Sequence, residues 1–412
     1  MPWVIPARAL GNADVAAPSE RITLGGIGIG PRGRAVLEGI LPEPDVQFVA
    51  ICDVRADRRE AVKALADQHY GNSDCAMYRD LRELLAREDI DAVAIATGDR
   101  WHAVGSALAA KAGKHVYSEK PCALTIGQCQ ELEGCIRRHG VVYQAGTQRR
   151  SVPNFLAAVH LAHGGKLGKL HTLHASSYRP SVTHDWLPAE PEPSREVVDW
   201  DLWLGPAPWR PYNQAYVNGG WRGHYDLDSG ARLLDWGAHT VDLCQWANQA
   251  DDTLPLDYEA SADGITMHYA NGVTLILDFL HEPFGNRDPL YGTSRGTCPV
   301  RYEGDEGWVE TGDSGEIAVH PESLRSELTG FRVMAGTDST RHTRNFLDCI
   351  KSGQRPNASV EIMRRSHIAC YAAALAWQLG RKLTIDPATE TFVNDDEANH
   401  LRFRALREPW RF

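Results

Sequence analysis

The sequence predicts two domains: an α/β domain with a doubly wound parallel sheet over residues 21–148, and an α+β domain over residues 149–412. In the first part, short apolar runs alternate with longer helical stretches, the pattern of a parallel sheet covered by helices. In the second part, strand-like segments follow one another without intervening helices, which favours an antiparallel or mixed sheet. Residues 1–20 are rich in Ala and Pro, lack a period and are expected to form an extended arm.

The first domain is predicted from five apolar runs and four helical stretches. The expected strands cover 21–27, 47–52, 91–96, 115–117 and 141–144, and the expected helices cover 34–40, 56–69, 104–112 and 128–139.

The second domain is predicted from strand-like segments around tight turns and from helices later in the chain. The expected strands cover 169–178, 265–269, 273–279 and 307–310. Asn271-Gly272 favours a hairpin turn between two of them. A helix is expected over 230–247, and a later one carries Ile368, Ala372, Leu375 and Leu379 at helical spacing.

Composition excludes several classes of protein. The 412 residues suffice for two domains, and 43% hydrophobic with 24% charged residues is ordinary for a globular chain. Acidic residues outnumber Lys plus Arg by 54 to 43, which argues against a nucleic-acid partner. No apolar run approaches the roughly 20 residues of a membrane span, so no membrane association is expected. The 9 cysteines show no CxxC spacing, and we expect reduced, buried thiols.

A glycine-rich turn follows the first predicted strand. Gly28, Gly30 and Gly33 form a GxGxxG motif that opens a helix, and Asp53 ends the second predicted strand. Such glycines let the backbone approach a pyrophosphate at a helix N-terminus. A carboxylate at Asp53 can accept both ribose hydroxyls of NAD and would repel a 2′-phosphate. The motif therefore predicts a Rossmann domain that binds NAD, with NADP less favoured although Arg55 and Arg58 lie near.

Three further segments carry a family resemblance. They read ATGDRWHAVGSALAAKAGKHVYSEKP at 96–121, QAGTQRR at 144–150 and GARLLDWGAHTVD at 230–242. With the glycine turn, they closely resemble the Gfo/Idh/MocA family (glucose–fructose oxidoreductase, inositol dehydrogenase and relatives) over residues 21–412. The resemblance implies a Rossmann domain joined to a large open, mostly antiparallel sheet, with C-terminal helices packing back. It also implies a homo-oligomer, a dimer or tetramer, formed through that sheet.

The resemblance implies roles for individual residues. Lys120 in EKP and the Asp-x-x-x-His pair Asp235 and His239 are expected to be catalytic. Together with the glycine turn, the residues expected to bind the cofactor are Gly28, Ile29, Gly30, Arg32, Gly33, Asp53, Thr97, His102, Glu119, Lys120 and Gln148.

The residue types fit the chemistry of a carbinol. Oxidation needs a base for the hydroxyl proton and a cation near the developing alkoxide. Asp235 and His239 are four residues apart on the expected helix, so the carboxylate can orient the imidazole. We expect His239 to be the general base and acid, Lys120 the electrostatic and proton-relay partner, and Asp235 the acceptor for the substrate hydroxyl. The division between Lys120 and His239 stays open because coupled groups share their titration.

Other polar residues are candidates for substrate contacts, and a structural role is an equal alternative for each. They are Arg149, Arg150, Asn154, Arg222, His224 and Tyr225. The tryptophans between 200 and 221 could stack on sugars, but loop-anchoring roles are favoured. His102 is expected to be a cofactor or packing contact. The acidic segment 304–310 lacks a spaced ligand set, so we predict a hairpin turn there and no metal site.

Two enzymatic functions and one non-enzymatic function follow. The first is an NAD-dependent oxidoreductase acting on a secondary hydroxyl of a sugar, glycoside or polyol. The second is a redox-neutral NAD-dependent glycosidase that uses transient C3 oxidation and elimination, with Tyr225 or His224 as a base near C2. The third is a non-catalytic NAD sensor, which the Lys/Asp/His set disfavours.

The segments WDLWLGPAPWRPY and FRALREPWRF resemble a subgroup from glycan-degrading bacteria. Residues 1–20 contain no charged region followed by an apolar one, so no signal peptide is expected in the sequence itself. In the resembled subgroup, however, a segment like VIPARALG follows a twin-arginine export signal. Both a periplasmic and a cytoplasmic location therefore remain open.

Overall fold

A computed structural model describes residues 16–280, 296–331 and 339–412. The predicted arm falls mainly on residues 1–15, outside the described residues, and Pro18–Glu20 form a 3-10 turn. The helices are α1 (Pro31–Ile40), α2 (Ala56–Tyr70), α3 (Leu81–Leu85), α4 (Asp99–Lys111), α5 (Ile126–His139), α6 (Pro153–His163), α7 (Trp200–Leu204), α8 (Leu234–Ala247), α9 (Thr340–Ser352), α10 (Val360–Leu379) and α11 (Asp396–His400).

The strands form two sheets. They are β1 (Ile22–Ile27), β2 (Val46–Cys52), β3 (Ala76–Tyr78), β4 (Ala92–Ile95), β5 (His115–Ser118), β6 (Tyr143–Ala145), β7 (Leu170–Tyr178), β8 (Asp257–Ala260), β9 (Gly264–His268), β10 (Thr274–Leu280), β11 (Val300–Gly304), β12 (Gly307–Thr311), β13 (Ile317–His320), β14 (Leu383–Asp386) and β15 (Thr391–Phe392).

The first sheet is parallel and doubly wound, as predicted. Its 6 strands lie in the order β3-β2-β1-β4-β5-β6, and every neighbouring pair is parallel. The chain builds outward from β1 in one direction and then crosses to β4 on the other side. Ligands bind outside the carboxyl ends of the strands at such a switch point. The strand β3 and the helix α3 were not predicted, because each is too short to show a period.

The second sheet is large and mostly antiparallel. Its 9 strands lie in the order β13-β12-β11-β7-β10-β9-β8-β14-β15, and β7 with β10 is a parallel pair. The hairpin predicted at Asn271-Gly272 is confirmed, because β9 and β10 pair antiparallel and Gly272 has a φ of 87°. The acidic segment at 304–310 contains a hairpin turn as well, since Gly304 of β11 pairs with Gly307 of β12, and the predicted strand over 307–310 is part of β12.

Helices on one side of the second sheet connect it to the first domain. The helix α8 packs on β7, while α10 packs on α8, on β8 and on α5 of the first domain. The helix α9 packs on α1. The predicted helix over 230–247 begins only at Leu234, because Gly230, Ala231 and Arg232 have left-handed φ values of 58°, 55° and 68°. Asp235 and His239 nevertheless both lie on α8.

The other composition-based expectations concern cysteines, metals and membranes. All nine cysteines are buried and free. In the described parts of the chain, no group of three or more His, Cys, Asp or Glu side chains could hold a metal ion. Of the helices described, none is both long enough and apolar enough to cross a bilayer.

Candidate active site

Four strand ends of the first sheet deliver polar residues to one edge. Gly28 follows β1, Asp53 follows β2, Thr97 lies just beyond β4, and Glu119 with Lys120 follows β5. Because these strands are parallel, their carboxyl ends all lie at this edge, and β1 is adjacent to β4 at the switch point.

The glycine turn approaches its neighbours more closely than other residues allow. Gly28 has a φ of 69°, and a Cβ atom there would lie 2.3 Å from Thr97 Cγ2. A Cβ on Gly33 would lie 2.8 Å from the Cβ of Ala96, so this glycine sets the distance between α1 and β4. Helix α1 begins at Pro31, directly after Gly30. The turn therefore presents backbone and a helix N-terminus to the cleft.

The cleft beside this turn is strongly basic. It has a volume of about 590 Å³, and its lining includes Ile29, Gly30, Arg32, Thr97 and Arg222 from the predicted set. Four further arginines line it that were not assigned to the site: Arg34, Arg55, Arg58 and Arg100. Such a surface suits a pyrophosphate.

Arg100 is the least expected of these arginines. Its Nε donates to the Trp203 carbonyl oxygen at 2.6 Å, and its guanidinium carbon lies 3.5 Å from the Trp203 ring centroid. Nη1 is buried and has no hydrogen-bond partner within the described part of the chain. Burial lowers the pKa of Arg100 to about 9. No local pattern links Arg100 to a tryptophan 103 positions away.

Asp53 has the geometry expected of a ribose ligand. It is 4% exposed, and its Oδ1 accepts the backbone N–H of Arg55 at 3.0 Å. Its Oδ2 is buried without a partner among the described residues. Burial raises the pKa of this carboxyl, and the Arg58 guanidinium opposes that shift. An unsatisfied buried oxygen is costly, so Asp53 is suited to accept a hydroxyl from a bound molecule.

Lys120 and His239 come together around one indole ring. The Lys120 ammonium lies 5.7 Å from the Trp236 ring centroid, and the His239 ring lies 6.3 Å from it. Burial lowers the pKa of Lys120, and the Asp235 carboxylate opposes that shift. Trp236 was not predicted as a site residue, because only the i,i+4 pair on this helix was considered.

His239 has Arg149, not Asp235, as its hydrogen-bond partner. The Arg149 guanidinium donates to Nε2 at 3.1 Å, while Nδ1 is buried and has no partner in the described ranges. Burial, Arg149 and Lys120 hold the pKa of His239 well below its ordinary value. The imidazole is therefore neutral near pH 7.

Asp235 differs from its predicted role. We expected its carboxylate to orient the His239 ring, but Oδ1 lies 3.3 Å from Arg222 Nε and Oδ2 lies 3.8 Å from Arg232 Nε. Its backbone carbonyl accepts a hydrogen bond from the Lys120 ammonium. The two arginines hold the carboxylate away from the imidazole, so the expected orienting contact is wrong.

The residues at 148–150 lie in the 3-10 turn Gln148–Ser151 and are held by contacts with other protein groups. Gln148 donates to Glu119 at 2.9 Å and to the Tyr117 hydroxyl at 2.9 Å. Arg149 also forms two hydrogen bonds to Asp313, of 3.0 and 2.6 Å. Arg149 is therefore an internal ion-pair partner rather than a free substrate ligand.

Glu119 and His102 are also held by protein groups. Glu119 accepts from Arg32 Nε at 2.9 Å. The His102 ring nitrogens lie 2.7 Å from the Pro121 carbonyl oxygen and 3.2 Å from that of Thr97. These contacts place His102 between the two strand ends, in agreement with a packing or cofactor contact rather than a base.

Two expected substrate contacts lie elsewhere. Asn154 is buried and donates at 2.8 Å to Thr311 and to the Gly312 carbonyl oxygen, so it supports the turn that carries Asp313. Tyr225 lies under the Arg404 guanidinium, 4.0 Å from its ring centroid. Both side chains are held by contacts within the fold, and neither lines the basic cleft.

Most of the tryptophans between 200 and 221 anchor the long loops, the role that was favoured. Trp200, Trp203 and Trp221 are buried, and the first two stack with centroids 4.7 Å apart. His224 packs edge-on against Tyr216 in the same cluster. Trp209 is 59% exposed.

The parallel sheet and its glycine turn define a dinucleotide-binding domain, and the comparisons place the chain in an oxidoreductase family. Residues 22–147 match a family model described as the NAD-binding Rossmann fold of the Gfo/Idh/MocA oxidoreductases. Residues 182–412 match the C-terminal alpha/beta domain of the same oxidoreductase family. The chain belongs to the Gfo/Idh/MocA oxidoreductase family.

The individual proteins that resemble this chain have low sequence identity to it. The uncharacterized oxidoreductase YrbE of Bacillus subtilis is 26% identical over 325 residues, which cover 79% of this chain and 76% of that protein. A glycosyl hydrolase family 109 protein of Saccharopolyspora erythraea is 31% identical over 176 residues, 40% of this chain and 37% of that protein. The structure of myo-inositol 2-dehydrogenase from Lactobacillus plantarum superposes with a TM-score of 0.62 at 17% identity, covering 89% and 100% of the two chains. That last likeness shows the fold alone.

Proposed function

We propose that this protein is an NAD-dependent oxidoreductase acting on a secondary hydroxyl of a sugar, glycoside or polyol. The proposal rests on the approach of the Lys120 side chain and the His239 imidazole to Trp236. The neighbouring residue Asp235 contacts Arg222, which lines the basic cleft. Carbinol oxidation needs a cofactor site, a base and a cation. A member of this family with the basic cleft, Lys120, His239 and the neighbouring arginines has these groups.

The residues present fit NAD. Gly28 and the N-terminus of α1 suit the pyrophosphate, and Asp53 Oδ2 suits the adenosine ribose. When bound, NAD supplies the hydride acceptor. The protein's own contribution is to hold the carbinol, to take its hydroxyl proton and to exclude water.

We assign Lys120 as the group that accepts the proton of the substrate hydroxyl. Burial favours its neutral amine, which is the form that can accept a proton. The neutral His239 keeps Nδ1 without a partner in the described ranges while Nε2 accepts from Arg149. We therefore propose Lys120 as the base and His239 as a hydrogen-bond partner of the substrate, the reverse of the division expected from sequence.

To test the proposed function, purified protein is incubated with NAD and with each of a panel of sugars, polyols and aryl glycosides. With at least one sugar or polyol, we expect NADH to accumulate in proportion to the substrate oxidised. The absorbance of NADH measures this accumulation. If neither NADH nor product forms with any of the panel, and no aglycone is released, the proposal is wrong.

A second candidate is a glycosidase that oxidises C3 transiently, eliminates the aglycone and restores the alcohol. The similarity to a glycosyl hydrolase family 109 protein supports the glycosidase as a second candidate. The same experiment separates the two, because aglycone release at substoichiometric NAD, without net NADH, indicates the glycosidase. Tyr225, which lies against Arg404, and His224, which lies against Tyr216, are poorly placed as its second base.

Replacing Asp53 tests the cofactor assignment. In Asp53→Ala we expect the Kd for NAD to rise by about 10- to 100-fold, since a hydrogen bond to a charged group contributes about 1.5–3 kcal/mol. The preference for NAD over NADP should fall, because the carboxylate no longer repels a 2′-phosphate near Arg58. Calorimetric titration with both dinucleotides measures the two effects.

The matched control is Glu60→Ala, which removes an exposed carboxylate on α2 that does not line the cleft. Its Kd for NAD should change by less than about threefold. Equal NAD affinity in Asp53→Ala and the unmodified protein would contradict the assignment.

A further inference from the structure

Two arginines and Lys120 meet Asp235 beside the proposed reaction site. Lys120 donates to its carbonyl oxygen, and the Nε atoms of Arg222 and Arg232 lie 3.3 Å and 3.8 Å from its two carboxylate oxygens. One carboxylate neutralises only one of the two guanidinium charges, and Lys120 is neutral when it acts as the base. The site therefore carries excess positive charge at this point.

The neighbouring cations are matched by acids of their own. Arg149 pairs with Asp313 at 2.6 Å, and Arg32 pairs with Glu119 at 2.9 Å. These two cations therefore have carboxylates of their own, whereas Arg222 and Arg232 share the single carboxylate of Asp235.

Two buried carboxyls, Asp228 and Asp99, lie near this carboxylate, and burial disfavours their charged forms. Asp228 accepts the backbone N–H groups of Gly223 at 3.0 Å and Arg232 at 2.7 Å, and burial raises its pKa well above the ordinary value. Burial also raises the pKa of Asp99. Both groups are thus shifted toward their neutral forms.

The backbone of Arg232 is held in a conformation that suits glycine. Its φ is 68° and that of Ala231 is 55°, and residues with a Cβ atom are strained there. The Arg232 Nε is buried without a hydrogen-bond partner in the described ranges, and the guanidinium lies 5.4 Å from the Tyr178 ring centroid. A strained arginine at a reaction site indicates that its side chain has a use there.

We propose that the substrate carries an anionic substituent (a carboxylate, or a sulfate or phosphate ester) and that Arg232, assisted by Arg222, binds it. A guanidinium matches such oxygens in pairs. This inference rests on the proposed function because it names the substrate class of that site. Arg222 also lines the cofactor cleft, so Arg232 is the residue that tests it.

The experiment measures binding to the full-length protein loaded with NAD. Calorimetry compares D-glucose with D-glucuronate, glucose 6-sulfate and glucose 6-phosphate, and runs the galactose series in parallel. We expect at least one anionic sugar to bind about tenfold or more tightly than its neutral counterpart. The anion that binds best distinguishes the carboxylate from the two esters.

Two variants distinguish the effect of the Arg232 side chain on anion binding from the effect of the strained backbone. Arg232→Gly removes the guanidinium and relieves the backbone, and it should reduce the preference for the anion by about tenfold. Ala231→Gly relieves the same turn but retains the guanidinium, and its preference should equal that of the unmodified protein. Both changes suit the left-handed backbone, so both variants should fold.

Two results would overturn the inference: neutral sugars that bind as tightly as every anionic one, or equal selectivity in Arg232→Gly and Ala231→Gly. The experiment measures binding without turnover. A failure of the anionic-substrate inference can therefore be distinguished from a failure of the proposed reaction. An anion preference that depends on Arg232, with no NADH or aglycone from any sugar, would support this inference and overturn the proposed reaction.

Discussion

The Lys120→Ala variant should oxidise its substrate about 10³-fold more slowly than the unmodified protein, within the range for loss of a general base. The reason is that the Lys120 amine is the group we assign to take the hydroxyl proton. Single-turnover NADH formation, measured by absorbance in protein saturated with NAD, tests the chemical step itself. NAD affinity should stay within a few-fold, because Asp53 and the glycine turn are unchanged.

The pH profile distinguishes a base from a structural lysine. Burial lowers the pKa of Lys120, so its neutral form is reached at a lower pH than for an exposed lysine. The oxidation rate of the unmodified protein should therefore rise with pH and level off below the ordinary lysine pKa. Lys120→Ala should lose this rise.

Two further variants complete the test of Lys120. Lys111→Ala removes an exposed lysine from α4 and should leave the rate unchanged. His239→Asn should reduce the rate less than Lys120→Ala does. If His239→Asn abolishes the pH-dependent step while Lys120→Ala retains it, the division expected from sequence is right and our assignment is wrong.

The Arg150→Met variant should lower the free energy of unfolding by about 3–5 kcal/mol, the cost of leaving a buried charge without its partner. Arg150 forms hydrogen bonds of 2.7 and 2.8 Å with Asp242, and both side chains are almost fully buried. It also binds Asp251 at 2.6 Å. Denaturation in urea, followed by circular dichroism, measures the change.

The double variant Arg150→Met with Asp242→Leu should recover most of this loss, because an apolar pair can replace a buried ion pair at little cost. Arg137→Ala removes an exposed arginine from its pair with Glu133, which keeps Arg364 as a partner. It should change the unfolding free energy by less than about 1 kcal/mol. An Arg150→Met protein that unfolds at the same urea concentration as the unmodified one would show that this network is not stabilising.

Local patterns predicted the first sheet and most of its helices. Strands buried on both faces must be apolar along their length, so β1, β2, β4 and β5 were evident from sequence. The positions of Gly28 and Asp53 were equally evident, because a turn that approaches a dinucleotide restricts residue type within a short segment. The family resemblance added Lys120, Asp235 and His239 as site residues.

The partners of these residues could not be predicted. Arg149 contacts Asp313, which is 164 positions away, and Arg100 stacks on Trp203. Helical spacing suggested that Asp235 orients His239, because spacing describes neighbours on one helix and ignores charges from other elements. Arg222 reaches Asp235 from outside that helix.

The sequence by itself determined the two fold classes and the glycine turn. These features depend on short-range sterics and on burial periodicity, which are properties of neighbouring residues. The ribose-binding role of Asp53 and the catalytic roles of Lys120, Asp235 and His239 stay predictions. Only the tertiary structure decided which cation faces which acid around Lys120, His239 and Asp235. Coulomb and desolvation effects depend on distances between groups far apart in the chain, and such distances exist only once the chain has folded.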